Sequence, residues 1–462
     1  MSIKPPELLN RIPSVAELLE KPQIRALVER WNQSAVAGSV KSFLEELGND
    51  LQRRAAEVNF PSIRELADRA ARYVASQQHQ ELGVAINATG RLWDAPWSST
   101  PLAEAALDRT YASAGEFTVA PAKGDGVTSQ AAAILCKLTG AQSAAVVHTY
   151  SGALWLALAS LAAEREVLIA RAEVGDIGPN DSLPKLAAAA GSILTEVGTT
   201  NSAPVAAYES AASPRTAAIL TASSDTYRVV GQTVAAELEE LIAVAHSRQL
   251  TMIAALGAAP LTAAAEACPA RTAAGGIEAG ADVVILRGDG FAGGPPSGII
   301  LGRKQTIDRI KSHPLFAAWN LDAIRTTSLV ATLGCYENPT NGLAQIPVWQ
   351  CLTVSVDNLR NRAERLAPQL AAAEGIASAT AVETRSPLMA TIPDGLPSVG
   401  VALTPADGDV AALDTRLRSA RFPIFGRVAN GQLVLDLRTV PPRHDTTLVE
   451  TITGTSPAPV AP

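Results

Sequence analysis

Residues 283–302 read VVILRGDGFAGGPPSGIILG, and this stretch decides the fold class of the chain. The apolar run 283–286 predicts a buried strand, and Gly288-Asp289-Gly290 predicts a turn. Gly293-Gly294-Pro295 predicts a tight bend, after which Ile299-Ile300-Leu301 begins a second strand. A loop this rich in glycine between two buried strands indicates that its backbone closely approaches a ligand or another part of the chain.

The composition predicts a helix-rich α/β protein of two or three domains. The chain has 462 residues, of which 47% are hydrophobic and 4% aromatic. A net charge of −7 argues against a general affinity for nucleic acid, although a local basic patch would be compatible with it. The four cysteines have no C-x-x-C spacing, so we expect neither a disulfide framework nor a metal site. We find no signal-peptide pattern and no membrane-spanning stretch, and expect a cytoplasmic protein.

The chain divides into four predicted regions. Residues 1–82 form a helical N-terminal domain, in which Ser14 and Glu17 have the spacing of a capping box. Residues 83–337 alternate strands with helices, which predicts a large α/β domain with a mainly parallel sheet. Residues 338–455 form a small α+β domain that includes a hairpin across Asn430-Gly431, and residues 456–462 are a disordered Pro/Ala tail.

A second candidate site is the loop His148-Thr149-Tyr150-Ser151-Gly152. It follows a predicted strand at 144–147 and leads into a helix, an arrangement that binds phosphate groups at the helix N-terminus. Thr149 or Ser151 would instead be an ordinary N-cap, which every such helix needs. His148 is either a ligand or a capping or stacking residue. The sequence leaves both interpretations open.

The chain resembles the bacterial selenocysteine synthase (L-seryl-tRNA(Sec) selenium transferase) family along essentially its whole length. Residues 288–298 are similar to the family loop Gly-Asp-Lys-x-x-Gly-Gly-Pro-x-x-Gly, and residues 86–90 match its Ile-Asn-Ala-Thr-Gly segment. The resemblance implies fold-type I of the pyridoxal-phosphate transferases, which is aspartate-aminotransferase-like. It also implies a homo-oligomer built from dimers. The resemblance further implies that the N-terminal domain helps to hold tRNA(Sec). Here that region has eleven basic and eleven acidic residues, so it has no clear excess of positive charge. Packing within a dimer is therefore the other interpretation of this domain.

The resemblance also implies that the catalytic groups are replaced. The lysine that binds pyridoxal phosphate corresponds to Gly290, and the aspartate that pairs with the pyridine nitrogen corresponds to Ala255. Basic residues of the family correspond to Phe316, Ala317, Asn320 and Ala323, and other active-site residues to Asp94, Pro96, Ser98 and Ser99. We therefore predict no catalytic residue, and a cofactor that is not bound covalently or not bound at all.

Three functions fit these observations. The first is a catalytically degenerate family member that acts as a partner or regulator, of an active paralogue or of tRNA(Sec), in selenocysteinyl-tRNA metabolism. The second is an enzyme of altered mechanism that keeps a phosphate-bearing ligand near Thr149 and Ser151 without a lysine Schiff base. The third is a structural oligomer without ligand. A basic surface on the oligomer would favour the first, and a bound phosphate compound the second.

Overall fold

The computed structural model describes residues 12–30, 32–53, 62–78, 84–92, 99–117, 128–178, 181–224, 227–262, 271–338, 342–388, 394–420 and 422–454. The chain splits into two compact units, residues 1–85 and 86–462. Within the described ranges, no helix is long and apolar enough to cross a lipid bilayer. The same ranges hold no group of three His, Cys, Asp or Glu side chains that could bind a metal ion.

The described residues of the N-terminal unit are mainly helical. Its first helix begins with the expected capping box, in which Ser14 Oγ accepts from the Glu17 amide and Glu17 Oε2 accepts from the Ser14 amide, each at 3.2 Å. The apolar faces of the helices meet in a small core around Leu18, Val40 and Val74. The helices are α1 (Val15–Leu19), α2 (Pro22–Arg30), α3 (Gln33–Arg53) and α4 (Ile63–Gln78).

A seven-stranded sheet forms the centre of the second unit, in the order β2-β12-β11-β10-β8-β3-β6. Only β12 is antiparallel to its neighbours, so the sheet is mainly parallel. Its strands are β2 (Ser143–Val147), β3 (Glu166–Ala170), β6 (Ile193–Val197), β8 (Thr216–Ala222), β10 (Thr251–Gly257), β11 (Val283–Arg287) and β12 (Gly298–Gly302).

Both faces of this sheet are covered, which explains why its inner strands are continuously apolar in sequence. Alternate residues of β11 enter different cores: Val284 and Leu286 join one apolar cluster, while Val283 and Ile285 join the other. The surrounding helices are α5 (Glu104–Ala114), α6 (Ser129–Thr139), α7 (Tyr150–Ala162), α8 (Leu183–Ala189), α9 (Val205–Ala211), α10 (Leu238–Ser247), α11 (Ala273–Glu278), α12 (Lys304–Lys311) and α13 (Ala323–Tyr336).

Three pairs of short strands connect the outer segments of this unit. They are β1 (Ile86–Asn87) with β15 (Ile424–Phe425), β4 (Asp176–Gly178) with β5 (Asp181–Ser182), and β7 (Ser202–Ala203) with β9 (Val234–Ala235). Single 3-10 turns occur at Arg171–Glu173, Ala317–Trp319, Leu343–Gln345, Leu437–Thr439 and Pro442–His444.

The C-terminal region contains a four-stranded antiparallel sheet in the order β13-β14-β17-β16. The predicted hairpin is confirmed, because Asn430 and Gly431 turn with φ of 51° and 73° between its two strands. The strands are β13 (Ile376–Ser386), β14 (Leu396–Pro405), β16 (Arg427–Ala429) and β17 (Gln432–Asp436). The helices are α14 (Pro347–Thr353), α15 (Val356–Ala371), α16 (Val410–Arg418) and α17 (Asp445–Thr453).

One expectation for this region, the disordered tail 456–462, falls outside the described residues. The eleven-residue strand β13 was not predicted. Its sequence, IASATAVETRS, has many small residues and little apolar alternation, and the strand forms an edge of the sheet with only two of its eleven residues buried.

Candidate functional site

Three loops meet where the parallel strands β2, β10 and β11 end. Ligands of α/β sheets bind outside this carboxyl edge. The contacts are close: the Phe291 amide donates to the Ala258 carbonyl at 2.9 Å. A Cβ atom added to Gly298 would lie 2.2 Å from the Thr149 carbonyl oxygen. The structure therefore brings together the loop around Gly290, the end of β10 that carries Ala255, and the loop from His148 to Gly152.

Gly290 has no room for a side chain. A Cβ atom built on it would lie 2.6 Å from Ala258 Cα, 2.8 Å from Ala258 O and 2.9 Å from Ala258 C. These are backbone atoms, which cannot turn away as the end of a flexible side chain could. The glycine-rich loop thus approaches another part of the chain closely, one of the two alternatives that its composition indicates.

Aromatic residues enclose the same loop. Phe291 is fully buried, and its ring centroid lies 6.0 Å from that of Trp349. The Tyr336 hydroxyl lies 2.8 Å from the Phe291 carbonyl oxygen and 3.1 Å from that of Ala292, and it accepts from Trp349 Nε1 at 3.1 Å. Burial raises the pKa of the Tyr336 hydroxyl, so it remains a proton donor to the loop.

The charged residues of this loop form an ion pair in which Asp289 is buried and Arg287 is partly buried. Asp289 is only 3% exposed and accepts from Arg287 Nε at 3.2 Å and Nη2 at 3.1 Å. The backbone of the same residue is held by Thr100, whose Oγ1 donates to the Asp289 carbonyl at 3.0 Å. Because Arg287 follows Ile285 by two positions on a strand, it lies on the face of the sheet that carries Ala255.

Ala255 is part of the apolar core. It is fully buried, pairs with Ala222 on one side and Ile285 on the other, and its carbonyl accepts from the Ser223 amide at 2.9 Å. A methyl group cannot stabilise a protonated pyridine nitrogen as a carboxylate would. Position 290 offers no amine and position 255 offers no carboxylate, so these two described residues do not fit covalently attached pyridoxal phosphate.

The loop from His148 to Gly152 begins α7, and Thr149 is its N-cap. Thr149 Oγ1 accepts from the Gly152 amide at 3.0 Å, with the Thr149 backbone at a φ of 59°. The ring of Trp319 lies against Gly152, where an added Cβ would be 2.7 Å from Trp319 Cε3. Tyr150 is buried, and Ser151 lies in the first turn. The capping interpretation is thus observed, while a phosphate-binding role for residues 148–152 stays a prediction.

His148 contacts residues that the sequence analysis did not single out. Its Nδ1 lies 3.0 Å from Arg325 Nη1, and its Nε2 lies 3.9 Å from Asp322 Oδ2. The His148 amide donates to the Trp319 carbonyl at 2.7 Å. Arg325 and Asp322 belong to α13 and its N-cap, about 175 residues further along the chain, so only the fold brings them here. Of the four further active-site positions that the resemblance implies, Asp94, Pro96 and Ser98 lie outside the described residues.

Removing the cap should weaken α7 measurably. We expect Thr149→Ala to lower the free energy of unfolding by about 1 kcal/mol, because the Gly152 amide loses its acceptor. Thr149→Ser keeps the hydroxyl and should stay within about 0.5 kcal/mol of the parent. Urea unfolding of the two variants measures the difference. An equal loss of unfolding free energy in both variants would show that the Thr149 hydroxyl does not stabilise the helix as its N-cap.

Comparison with known proteins places these observations in a family context. A family model described as SelA: L-seryl-tRNA selenium transferase matches residues 83–441. The chain is 30% identical to the L-seryl-tRNA(Sec) selenium transferase of Geobacter sulfurreducens, over 94% of this chain and 96% of the relative. It is 32% identical to the protein of that name from Rhizobium meliloti, over 93% of this chain and 94% of the relative.

A solved structure of similar fold is that of D-glucosaminate-6-phosphate ammonia-lyase. It matches with a TM-score of 0.60 and 21% identity, over 82% of this chain and 96% of the other. The likeness concerns the fold alone. It confirms the predicted class, fold-type I of the pyridoxal-phosphate enzymes.

Proposed function

Because this chain belongs to the L-seryl-tRNA selenium transferase family, we propose that it acts in selenocysteinyl-tRNA metabolism without pyridoxal-phosphate catalysis. Its role is that of a partner or regulator, either of an active relative or of tRNA(Sec). The match extends over nearly the full length of the relatives, which supports a role in the same metabolic process. It acts as a homo-oligomer built from dimers in the cytoplasm.

The observation that carries this proposal is the packing of Gly290. Catalysis through a Schiff base needs a lysine amine at the cofactor, and here a Cβ atom built at the aligned position would lie 2.6 Å from Ala258 Cα. The described lysines of the large unit lie on helices around the sheet: Lys137 on α6, Lys185 on α8, and Lys304 and Lys311 on α12. None of these four belongs to a strand of the sheet or to the loops that carry Gly290 and Ala255.

Incubation with pyridoxal phosphate tests the loss of catalysis. We expect no visible aldimine absorption band, and no label fixed on a lysine after borohydride reduction, because Gly290 offers no amine. An active relative of the family, treated in parallel, should show both signals. A stable band with label on a mapped lysine would overturn the proposal. Tight binding without reducible linkage would instead favour the enzyme of altered mechanism.

Binding measurements test the partner role. The full-length protein should bind tRNA(Sec), or co-elute with an active family member, at physiological salt. Sedimentation or filter binding across a salt series separates specific binding from weak electrostatic attraction. Another tRNA serves as the control. Failure to bind either partner would reject this role and leave the structural oligomer, whose size light scattering would give.

A further inference from the structure

Three partly exposed aromatic side chains lie together beside the loop that begins α7. The ring of Trp319 lies against Gly152, and its centroid is 6.3 Å from that of Trp155. The ring of Trp155 meets that of His313 edge to face, with 5.4 Å between the centroids. All three rings are only partly buried, so each keeps some contact with solvent. We name Trp155, His313 and Trp319 the aromatic cluster.

Cations occur at two places next to this cluster. Arg325 Nη1 lies 3.0 Å from His148 Nδ1, and the His148 amide donates to the Trp319 carbonyl at 2.7 Å. The last turn of α12 carries Arg309 and Lys311 and ends immediately before the cluster. Within the described parts of the chain, neither of these two residues has an ion-pair partner.

The segment that carries two of the three rings has a charge opposite to that of the whole chain. Residues 303–325 contain five basic and two acidic residues, whereas the net charge of the chain is −7. The two basic residues at the start of α12 and Arg325 each have an acidic partner. The uncompensated positive charge is therefore that of Arg309 and Lys311. A local excess of positive charge on an acidic protein attracts a polyanion.

Aromatic rings beside uncompensated cations suit a single-stranded nucleic acid. The cations attract its phosphate groups, while the rings stack on bases that are not paired. The bases of a duplex already stack on one another, so a duplex uses the cations but not the rings. An apolar partner would use only the rings, and a simple anion only the cations. A single strand is the ligand that uses both.

We propose that the aromatic cluster, together with Arg309 and Lys311, binds a single-stranded segment of RNA by base stacking and phosphate contacts. The proposal rests on the function proposed above, because it names the surface by which the chain holds tRNA(Sec). It does not use the positions at which the family has basic residues, namely Phe316, Ala317, Asn320 and Ala323. It also does not depend on pyridoxal phosphate.

Fluorescence anisotropy with a labelled single-stranded RNA of about eight nucleotides tests the rings, with the full-length protein. The single strand should bind roughly tenfold more tightly than a duplex of the same sequence. Trp319→Ala should weaken binding of the single strand roughly tenfold, because one stacking contact is lost. Trp319→Phe keeps an aromatic ring and should retain most of the affinity. Circular dichroism confirms that both variants fold.

The salt dependence of binding tests the cations. Each phosphate contact of a single strand contributes about 0.7 to the slope of log K against log salt concentration. The double variant Arg309→Gln with Lys311→Gln should therefore reduce this slope by about 1.4. The matched control is Arg248→Gln with Arg416→Gln, which removes the same charge from exposed positions after α10 and on α16. The slope of the control should equal that of the parent.

Two results with the oligonucleotide would overturn this surface: unchanged affinity in Trp319→Ala, or equal salt slopes in the two double variants. Binding of tRNA(Sec) that is unchanged in Trp319→Ala and in the α12 double variant would also overturn it, while the proposed function would stand. Failure of the parent to bind tRNA(Sec), with the oligonucleotide results as expected, would reject the tRNA role alone. Light scattering that shows a smaller oligomer in Trp319→Ala, with oligonucleotide binding unchanged, would assign the cluster to a contact between copies of the chain.

Discussion

Alanine at position 290 is expected to lower the free energy of unfolding by about 2–3 kcal/mol. The added methyl group would lie within 2.9 Å of three backbone atoms of Ala258, and the Phe291 amide already bonds to that residue. Gly290 does not have a left-handed φ, so alanine can adopt its backbone conformation. The predicted loss is therefore steric, and relief requires movement of the loop or of the segment after β10.

The matched control for this substitution is Gly334→Ala. Gly334 lies inside α13, and an added Cβ meets nothing within 4 Å. Alanine there should be neutral or stabilising by about 0.5–1 kcal/mol, as expected for a helix interior. Urea unfolding at constant protein concentration compares the two variants. Equal stability of Gly290→Ala and the parent would contradict the packing described for this loop.

Gly290→Lys extends the same prediction to function. It restores the residue found in the family loop, but its Cβ meets the same Ala258 atoms and Ala255 still lacks a carboxylate. We expect the variant to be destabilised at least as much as Gly290→Ala and to form no stable aldimine with pyridoxal phosphate. A stable aldimine on this lysine would show that the loop adapts readily.

Removal of the carboxylate at Asp445 is expected to cost about 3–5 kcal/mol, the range for breaking a buried ion pair from one side. Asp445 begins α17, and its oxygens accept from Arg362 Nη2 and Arg365 Nη2, both at 2.6 Å. Arg362 is 8% exposed and also donates to the Val440 carbonyl at 3.0 Å. Without Asp445, a buried guanidinium would lose its counter-charge and α17 would lose its ionic contact with α15.

Asp445→Asn preserves the size of the side chain and so isolates the charge. Its control is Asp357→Asn on the first turn of α15, where Asp357 bonds the exposed Arg360 at 2.7 Å. Surface pairs of this kind contribute about 0–1 kcal/mol. Urea midpoints of the two variants should therefore differ widely. A loss at Asp445 no larger than that at Asp357 would refute the importance of the buried pair.

Much of the candidate site could be predicted because the residue type at each position is read directly from the sequence. The replacement of lysine by Gly290 and of aspartate by Ala255 is visible in the sequence once the loop is compared with the family pattern. The residues that enclose the loop were missed. Tyr336, Trp349 and Ala258 come from three separate segments, and nothing in their local patterns indicates a contact with position 290. The available sequence signal for these enclosing residues was that aromatic residues are scarce in the chain. Scarcity does not indicate which residues an aromatic side chain contacts.

The sequence by itself determined the mainly parallel sheet, the capping box at Ser14, the turn at Asn430-Gly431 and the absence of the lysine. These features depend on hydrophobic periodicity, on side chains a few residues apart and on residue identity. Only the tertiary structure decided that Gly290 faces the Ala258 backbone and that Asp445 pairs with the buried Arg362. Excluded volume and the loss of hydration depend on which distant segments come together, and no local pattern encodes that.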